Sequence, residues 1–303
     1  MLQPFHILTV DVEDWPQSTF DHSLPIRRRV VANTHALLNL LDEAGVRATF
    51  FVLGKVAEAH PTLAREITAG GHDIATHGYS HESLEAMPVA RFKEELHRSV
   101  EILRQQTGKP VLGHRAADFS ISSRSFHLLE HLCDEGLTYD SSIFPIRHPR
   151  YGVPGALRVP HRVRCASGRI LVEFPLATVC LAGMVLPAAG GGYLRLFPYW
   201  WTRLALWTLQ RAGSPATCYI HPYEFDTYEM AELPYRVPTL LRWSQSTNRR
   251  SVRPKLRRLL AGFRFMTMAA ACEELGAAHL EVGLDFSSQP IPYGLQAAAG
   301  VSG

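Results

Sequence analysis

Apolar runs alternate with amphipathic ones along the first 140 residues. Phe5–Val12 (FHILTVDV) is a short, mostly apolar run and predicts a buried strand. Val30–Glu43 carries its apolar residues at helical spacing and stops before Gly45. Arg47–Leu53 is aromatic and β-branched, so it predicts a second strand. Lys55–Ala69 predicts a helix that ends at Gly70-Gly71, and His72–His77 a short strand. Val89–Gln106 predicts a long helix stopping at Gly108, and Val111–Arg115 a strand. Ser123–Glu135 predicts a helix ending at Gly136, and Thr138–Asp140 the start of a fifth strand. The crossovers are long enough for parallel pairing, which predicts an α/β sheet or barrel.

The pattern changes at about 145–215. Pro and Gly accumulate there, with short strands expected at Ala156–Val159 and Ile170–Pro175. This predicts a β-rich insertion after the fifth strand. A helix at Pro198–Arg211 and a strand at Ala216–His221 follow. Residues 228–255 read as loop-rich and basic, Lys255–Leu260 as a short helix, Phe263–Met266 as a strand and Thr267–Leu275 as a helix. The expected organisation is one domain over 1–283, with a C-terminal extension of about 228–275 packed on it. The Gly, Ala, Ser and Pro-rich stretch 284–303 is expected to be a flexible tail.

Composition narrows the classes. With 46% hydrophobic and 19% charged residues, a disordered chain and a disulfide-rich miniprotein are excluded. A net charge of +3 gives no reason to expect nucleic acid as a partner. The five cysteines are odd in number and form no CxxC pair, so a thiolate zinc site is not expected. The 15 histidines direct any metal site towards His and carboxylate ligands. The start has no basic region preceding an apolar one, so no signal peptide is expected. The apolar stretch Tyr199–Leu209 is interrupted by Arg203 and too short to span a bilayer. The expected location is cytoplasmic, with peripheral contact at the inner membrane face left open.

Five groups of reactive side chains fall at the predicted carboxyl ends of strands. Asp11, Glu13 and Asp14 follow the first; Asp11 and Glu13 share a side by strand period. His77 and His81 follow the third, spaced so that a helical turn would aim both one way. Arg115 ends the fourth and could orient a carboxylate. Asp140 and His221 end two more. Alone, Asp140 reads as a cap and His221 as a satisfied loop histidine. Their recurrence on the face where barrel enzymes build active sites is what points to catalysis. Two His and a carboxylate form a ligand set for a catalytic divalent ion.

The motifs TVDVEDW, RATFFVLG, GHDIATHGYSH, TGKPVLGHRA, YDSSIFP, VEFPLAT, GGGYLRLFP and YIHPYEFD resemble the polysaccharide deacetylases of the NodB-homology type. Within these they are most similar to the branch of exosortase-associated exopolysaccharide loci. The resemblance covers about residues 5–270. It implies a distorted (β/α) barrel, one divalent metal ion with zinc expected, and removal of N-acetyl groups from saccharides, free or lipid-linked. By that resemblance Asp11 is the general base, Arg115 positions it, His77 and His81 bind the metal, and His221 is the general acid tuned by Asp140. The third ligand is Glu13 or Asp14, because Val12 stands where the common pattern has a second aspartate. Ala117 replaces a proline usual two residues after the arginine. The metal, with the backbone N–H of Tyr139 or a neighbour, is the expected oxyanion partner. Aromatics flank the motifs, and Trp200 and Tyr199 are expected in the core of their helix. The basic stretches Arg27–Arg29 and 248–258 read as solvated, or as contacts for anionic lipid. Two other readings stay open. One is a metal-independent glycoside hydrolase using Asp11 with Glu13 or Asp140. The other is an inactive glycan-binding module.

Overall fold

The computed structural model describes residues 3–276 and 280–285. Its strands are β1 (His6–Val12), β2 (Thr49–Val52), β3 (Asp73–Thr76), β4 (Gly113–His114), β5 (Tyr139–Asp140), β6 (His161–Arg164), β7 (Ile170–Glu173), β8 (Thr178–Leu181), β9 (Met184–Pro187), β10 (Thr217–Ile220), β11 (Phe265–Met266) and β12 (Val282–Asp285). Its α-helices are α1 (Arg29–Glu43), α2 (Gly54–Ala59), α3 (Leu63–Ala69), α4 (Val89–Thr107), α5 (Leu129–Asp134), α6 (Gly191–Leu196), α7 (Tyr199–Arg211), α8 (Thr239–Ser246), α9 (Arg249–Gly262) and α10 (Met268–Leu275).

The main sheet runs β10-β1-β2-β3-β4-β5-β7-β6-β12, with β11 beside the start of β1. All its pairings are parallel except β6 with β7. Among the described residues no ladder closes this sheet into a barrel. One isolated parallel bridge, Leu176 to Thr217, joins the chain after β7 to β10. The expected α/β architecture is therefore present as a curved parallel sheet rather than a fully laddered barrel. The register is level: Val10 lies opposite Ile220, Thr76 opposite His114, His114 opposite Asp140 and Asp140 opposite Glu173. Parallel strands in this register deliver all their carboxyl ends to one rim.

Several expected elements differ for local reasons. The helix expected over Lys55–Ala69 is two helices, broken at His60-Pro61, because proline supplies no N–H and restricts the residue before it. The strand expected at 156–159 begins only at His161, after Pro160. The segment 145–215 is not wholly an insertion. Its β7 is a strand of the main sheet beside β5, whereas the β8–β9 hairpin is a separate two-stranded sheet. In the expected loop, α8 forms although none of its residues is buried. Arg195 Nη1 reaches the Ser244 carbonyl at 2.7 Å, and Trp15 Nε1 reaches Gln245 Oε1 at 3.2 Å, so neighbours hold it. Helix α9 starts earlier than expected because Val252, Leu256, Leu259 and Leu260 form one buried stripe. That stripe outweighs the backbone bond Pro254 cannot make. Residues 284 and 285, expected in the tail, complete β12 against β6, while 286–303 lie outside the described residues.

The basic stretches are largely consumed by the fold. Arg27 clasps Asp14 through Nη2 at 2.7 Å and Glu229 at 2.5 Å. Arg29 pairs with Asp226 and Glu232. Buried Arg249 meets Glu229 at 2.8 Å and donates to the Tyr223 carbonyl. Lys255 donates to the carbonyls of Leu194, Arg195 and Phe197. These pairs fasten the C-terminal extension to the sheet rim.

Three buried histidines give the fold an acid limit. Burial lowers His6, His72 and His161 to about 4 from an ordinary 6.5. His6 and His72 each use Nδ1 to accept a backbone N–H, from Ala216 and Ala48. Between these two pH values the unfolded chain binds more protons than the folded one. Stability is thus complete above about 6.5 and is lost as pH falls towards about 4. Thermal melts across that window are expected to show a steadily falling midpoint; a flat profile would contradict the assignment.

Candidate active site

The carboxyl-end rim opens into a cavity of about 310 Å³ whose wall includes Asp11, Glu13, His77, His81 and His221. Asp11 and Glu13 project to the same side of β1, as the strand period requires. Glu13 meets His81 Nε2 at 2.5 Å and His77 Nε2 at 3.5 Å through the same oxygen, Oε2. That oxygen is buried and has no hydrogen bond of acceptable geometry. Ligand atoms of Glu13, His77 and His81 lie within 4.8 Å of one another, the one such group of potential metal ligands among the described residues.

The tautomer of His77 follows from its partner. Its Nδ1 lies 2.9 Å from the Arg115 carbonyl, which can only accept. Nδ1 therefore carries the proton, and the Nε2 lone pair points at Glu13, as a metal-ligating histidine requires. A neutral imidazole lone pair, a second imidazole and an orphaned carboxylate oxygen converging in a buried place suit a divalent ion. The two histidines do not reach this place by a helical turn. Residues 77–83 are irregular, and Gly78 (φ +72°) and His81 (φ +66°) both take left-handed backbone conformations that redirect the chain. For His81 that conformation carries strain, held by the packing around it.

Asp14, the other candidate ligand, is turned away. Both its oxygens are taken by the Arg27 guanidinium, and its Oδ2 also accepts the Arg27 backbone N–H at 2.9 Å. Of the two acids, Glu13 is the one grouped with the histidines.

Arg115 is fully buried and satisfied on every side. Nη1 donates to Asp11 Oδ1 at 2.7 Å and to Thr9 Oγ1 at 2.8 Å; Nε and Nη2 donate to the carbonyl and hydroxyl of Ser141. Its guanidinium lies 4.2 Å above the Phe51 ring. Removing this cation strands Asp11 without its partner in a buried place. Arg115→Leu is expected to lower stability by about 3–5 kcal/mol. Urea denaturation tests this, and a loss below about 1 kcal/mol would show the pair to be dispensable.

His221 faces Asp11 and Glu13 through Nε2, at 4.0 and 3.7 Å. Behind it, Nδ1 is 3.5 Å from Glu224 Oε2, and the Tyr223 ring stacks on it with centroids 4.7 Å apart. Burial opposes a charge on His221, but Glu224, Glu13 and Asp11 prevail and push its pKa up to about 9.

Asp140 is placed elsewhere. It accepts from His114 Nδ1 at 2.7 Å and from the Ser142 hydroxyl and backbone N–H, and no ion pair joins it to His221 among the described residues. It is absent from the cavity wall. The acid beside His221 is Glu224, so the expected tuning by Asp140 has no contact to act through. Asp140 instead organises Ser142, whose hydroxyl accepts the Ala116 N–H and anchors the loop after Arg115. Next to it, burial and Asp140 itself push the Glu173 carboxyl well above its usual range. The Tyr139 N–H is also spent, donated to the Leu112 carbonyl at 3.1 Å, so it offers nothing to an oxyanion.

Residues 17–132 match the polysaccharide deacetylase family. Residues 141–273 match a second family, described only as a domain of unknown function, DUF3473. Peptidoglycan deacetylase of Helicobacter pylori is 33% identical over 107 residues, 35% of this chain and 36% of that protein. Chitooligosaccharide deacetylase of Rhizobium leguminosarum bv. trifolii is 37% identical over 70 residues, 23% of this chain and 33% of that protein. The chain thus spans about a third of the length of these curated relatives. A solved structure from Mycobacterium smegmatis, provisionally described as a polysaccharide deacetylase, covers 93% of both chains at 22% identity with TM-score 0.65. The Puue allantoinase structure covers 90% of both at 14% identity with TM-score 0.59. These two establish the fold alone, because a shared fold hosts different chemistries.

The histidines His77 and His81 and the arginine fall inside the deacetylase segment, and His221 and Glu224 inside the second. Asp11 and Glu13 precede both. Glu224, inside the motif YIHPYEFD, was the functional neighbour that sequence reasoning missed. Its signal was the i, i+3 spacing from His221 across Pro222, which starts a short 3-10 turn. Nor does the sequence show what the glycines of GGGY, residues 190–193, are for. Side-chain atoms at Gly190 or Gly191 would fall 2.3–2.4 Å from the Tyr219 ring, which lines the cavity. Glycine lets the backbone close against that ring.

Proposed function

We propose that the protein is a metal-dependent N-deacetylase of amino sugars in an oligo- or polysaccharide. The observation carrying this reading is the place where Glu13, His77 and His81 converge, flanked on one side by arginine-held Asp11 and on the other by Glu224-backed His221. A divalent ion held by the three ligands would polarise the acetyl carbonyl and make water a better nucleophile, lowering its pKa towards about 7. Asp11, held in place by Arg115 through Oδ1, takes the proton from the attacking water at its Oδ2, the oxygen Arg115 leaves free. His221, charged and oriented from behind by Glu224, gives its Nε2 proton to the departing sugar nitrogen. Tyr151, Tyr193, Tyr219 and Tyr223 on the cavity wall supply faces on which a sugar ring can pack.

Zinc is the ion we assign to the site, on its His₂-carboxylate donor set. The motif resemblance supports a role in exopolysaccharide synthesis. The glycoside hydrolase reading loses its carboxylate pair. Asp140 is tied to His114 away from the cavity, and Glu13 faces the two histidines. A binding module would have no use for a buried base, acid and ligand set in one cavity.

Metal analysis combined with acetate release from N-acetylglucosamine oligomers tests the reading. One divalent ion per chain and loss of acetate release on chelation, restored by added metal, are expected. Activity that survives complete chelation would overturn it.

A further inference from the structure

Fifty residues, Phe174 to Tyr223, contain no Asp or Glu. They include the β8–β9 hairpin, α6 and α7. Their exposed face is strongly apolar: Leu181, Met184, Leu196, Trp200, Leu204 and Trp207 are each between 47 and 63% exposed. Trp200, Leu204 and Trp207 stand at i, i+4 and i+7 on α7, on the side opposite buried Thr202, Ala205 and Leu206. Trp200 is therefore not the core residue expected from its helix, whereas Tyr199 is half-buried and packs against the core. The hairpin packs beside α7, whose Trp201 donates to the Pro187 carbonyl at 3.1 Å. One continuous surface results.

Its charge has a single sign. Arg203 and Arg211 lie on the same side of α7, Arg211 over the Trp207 ring at 4.9 Å. Arg258 of α9 lies 3.8 Å over the Tyr199 ring. Among the described residues none of these three arginines forms an ion pair, in contrast to Arg27, Arg29 and Arg249, which the fold uses. Indole rings, aliphatic side chains and unpaired arginines together are the composition of a surface that lies at a lipid–water interface. No described helix is long and apolar enough to cross a membrane, so contact would be peripheral.

We infer that the outer face of α7 with the β8–β9 hairpin and Leu196 docks on an anionic lipid bilayer. A second copy of the chain fits this face worse. A two-fold interface sets the same patch against itself, and here arginines would oppose arginines with no carboxylate between them. An anionic bilayer supplies the missing negative charge and accepts the indoles at headgroup level. Leu196 belongs both to this face and to the rim of the catalytic cavity, so docking holds the cavity mouth beside the membrane surface.

The test uses the full chain with sedimented vesicles of phosphatidylcholine, alone or mixed with phosphatidylglycerol. Binding to the mixed vesicles at low salt, a blue shift of tryptophan emission and release at high salt are expected. Arg203→Ser, Arg211→Ser and Arg258→Ser combined should weaken binding on the order of 100-fold. Trp200→Ser, Leu204→Ser and Trp207→Ser combined should abolish the blue shift and the binding. Both variants should keep the parent melting temperature and the parent activity on soluble oligomers, so the binding readout stands apart from the catalytic reading. Absence of vesicle binding at low salt overturns the inference, as does unchanged binding by both variants. A parent dimer that the tryptophan variant converts to monomer, without vesicle binding, overturns it in favour of self-association.

Discussion

His77→Ala is expected to empty the metal site and reduce acetate release to background. His77 is fixed from behind by the Arg115 carbonyl, so its Nε2 lone pair is aimed before any ion arrives. Removing it leaves one imidazole and one carboxylate, too few ligands for a tight divalent site. Loss of an orienting partner alone costs 10–100-fold in metal affinity. Loss of the ligand itself should cost on the order of 100-fold or more on the same scale. Metal content after gel filtration and acetate release measured on the same sample check this. A variant that keeps one ion per chain would show that the ion is held elsewhere.

Asp11→Asn is expected to leave metal content unchanged and to lower kcat by about 10²–10⁴, which is roughly 3–5 kcal/mol of barrier. Asparagine fills the same space, and its carbonyl oxygen can still accept from Arg115 Nη1. What it cannot do is take a proton from water. The contrast with His77→Ala separates a base from a ligand: one variant keeps metal without turnover, the other loses both. If Asp11→Asn retains kcat within a few-fold, the proton goes to another group, and Glu13 is the neighbouring carboxylate.

Much of the frame was legible because it rests on local pattern. The short, mostly apolar run of β1 and the helical stripe of α4 read plainly as strand and helix, and both appear within a residue or two of their expected bounds. The level register then follows from parallel pairing, which is why the polar groups after successive strands could be expected on one rim. The candidates Asp11, Glu13, His77, His81 and His221 do share one cavity.

What the pattern could not carry was partner choice between residues far apart in the chain. The motif resemblance assigns Asp140 to His221 and gives Glu224 no role. His114 occupies Asp140, and a 3-10 turn beginning at Pro222 places Glu224 behind His221. Glu13 and Asp14 are adjacent, and only the approach of Arg27 decides between them. The paired histidines were read from helical spacing, yet left-handed residues bring them together. Likewise α7 has the length and apolarity of a core helix, but one side is left open beside the hairpin.

By itself the sequence determined the alternation of strands and helices, and with it the face on which the reactive groups gather. Those depend on hydrophobic period and backbone sterics, which act over a few residues. The tertiary structure decided which acid lies beside which histidine, which carboxylate is grouped with His77 and His81, and which arginines stay unpaired. These are contacts between segments up to about 200 residues apart, as between Arg27 and Glu229. Burial, not sequence proximity, sets their energy, because a charge removed from water must find its partner wherever the fold has placed one.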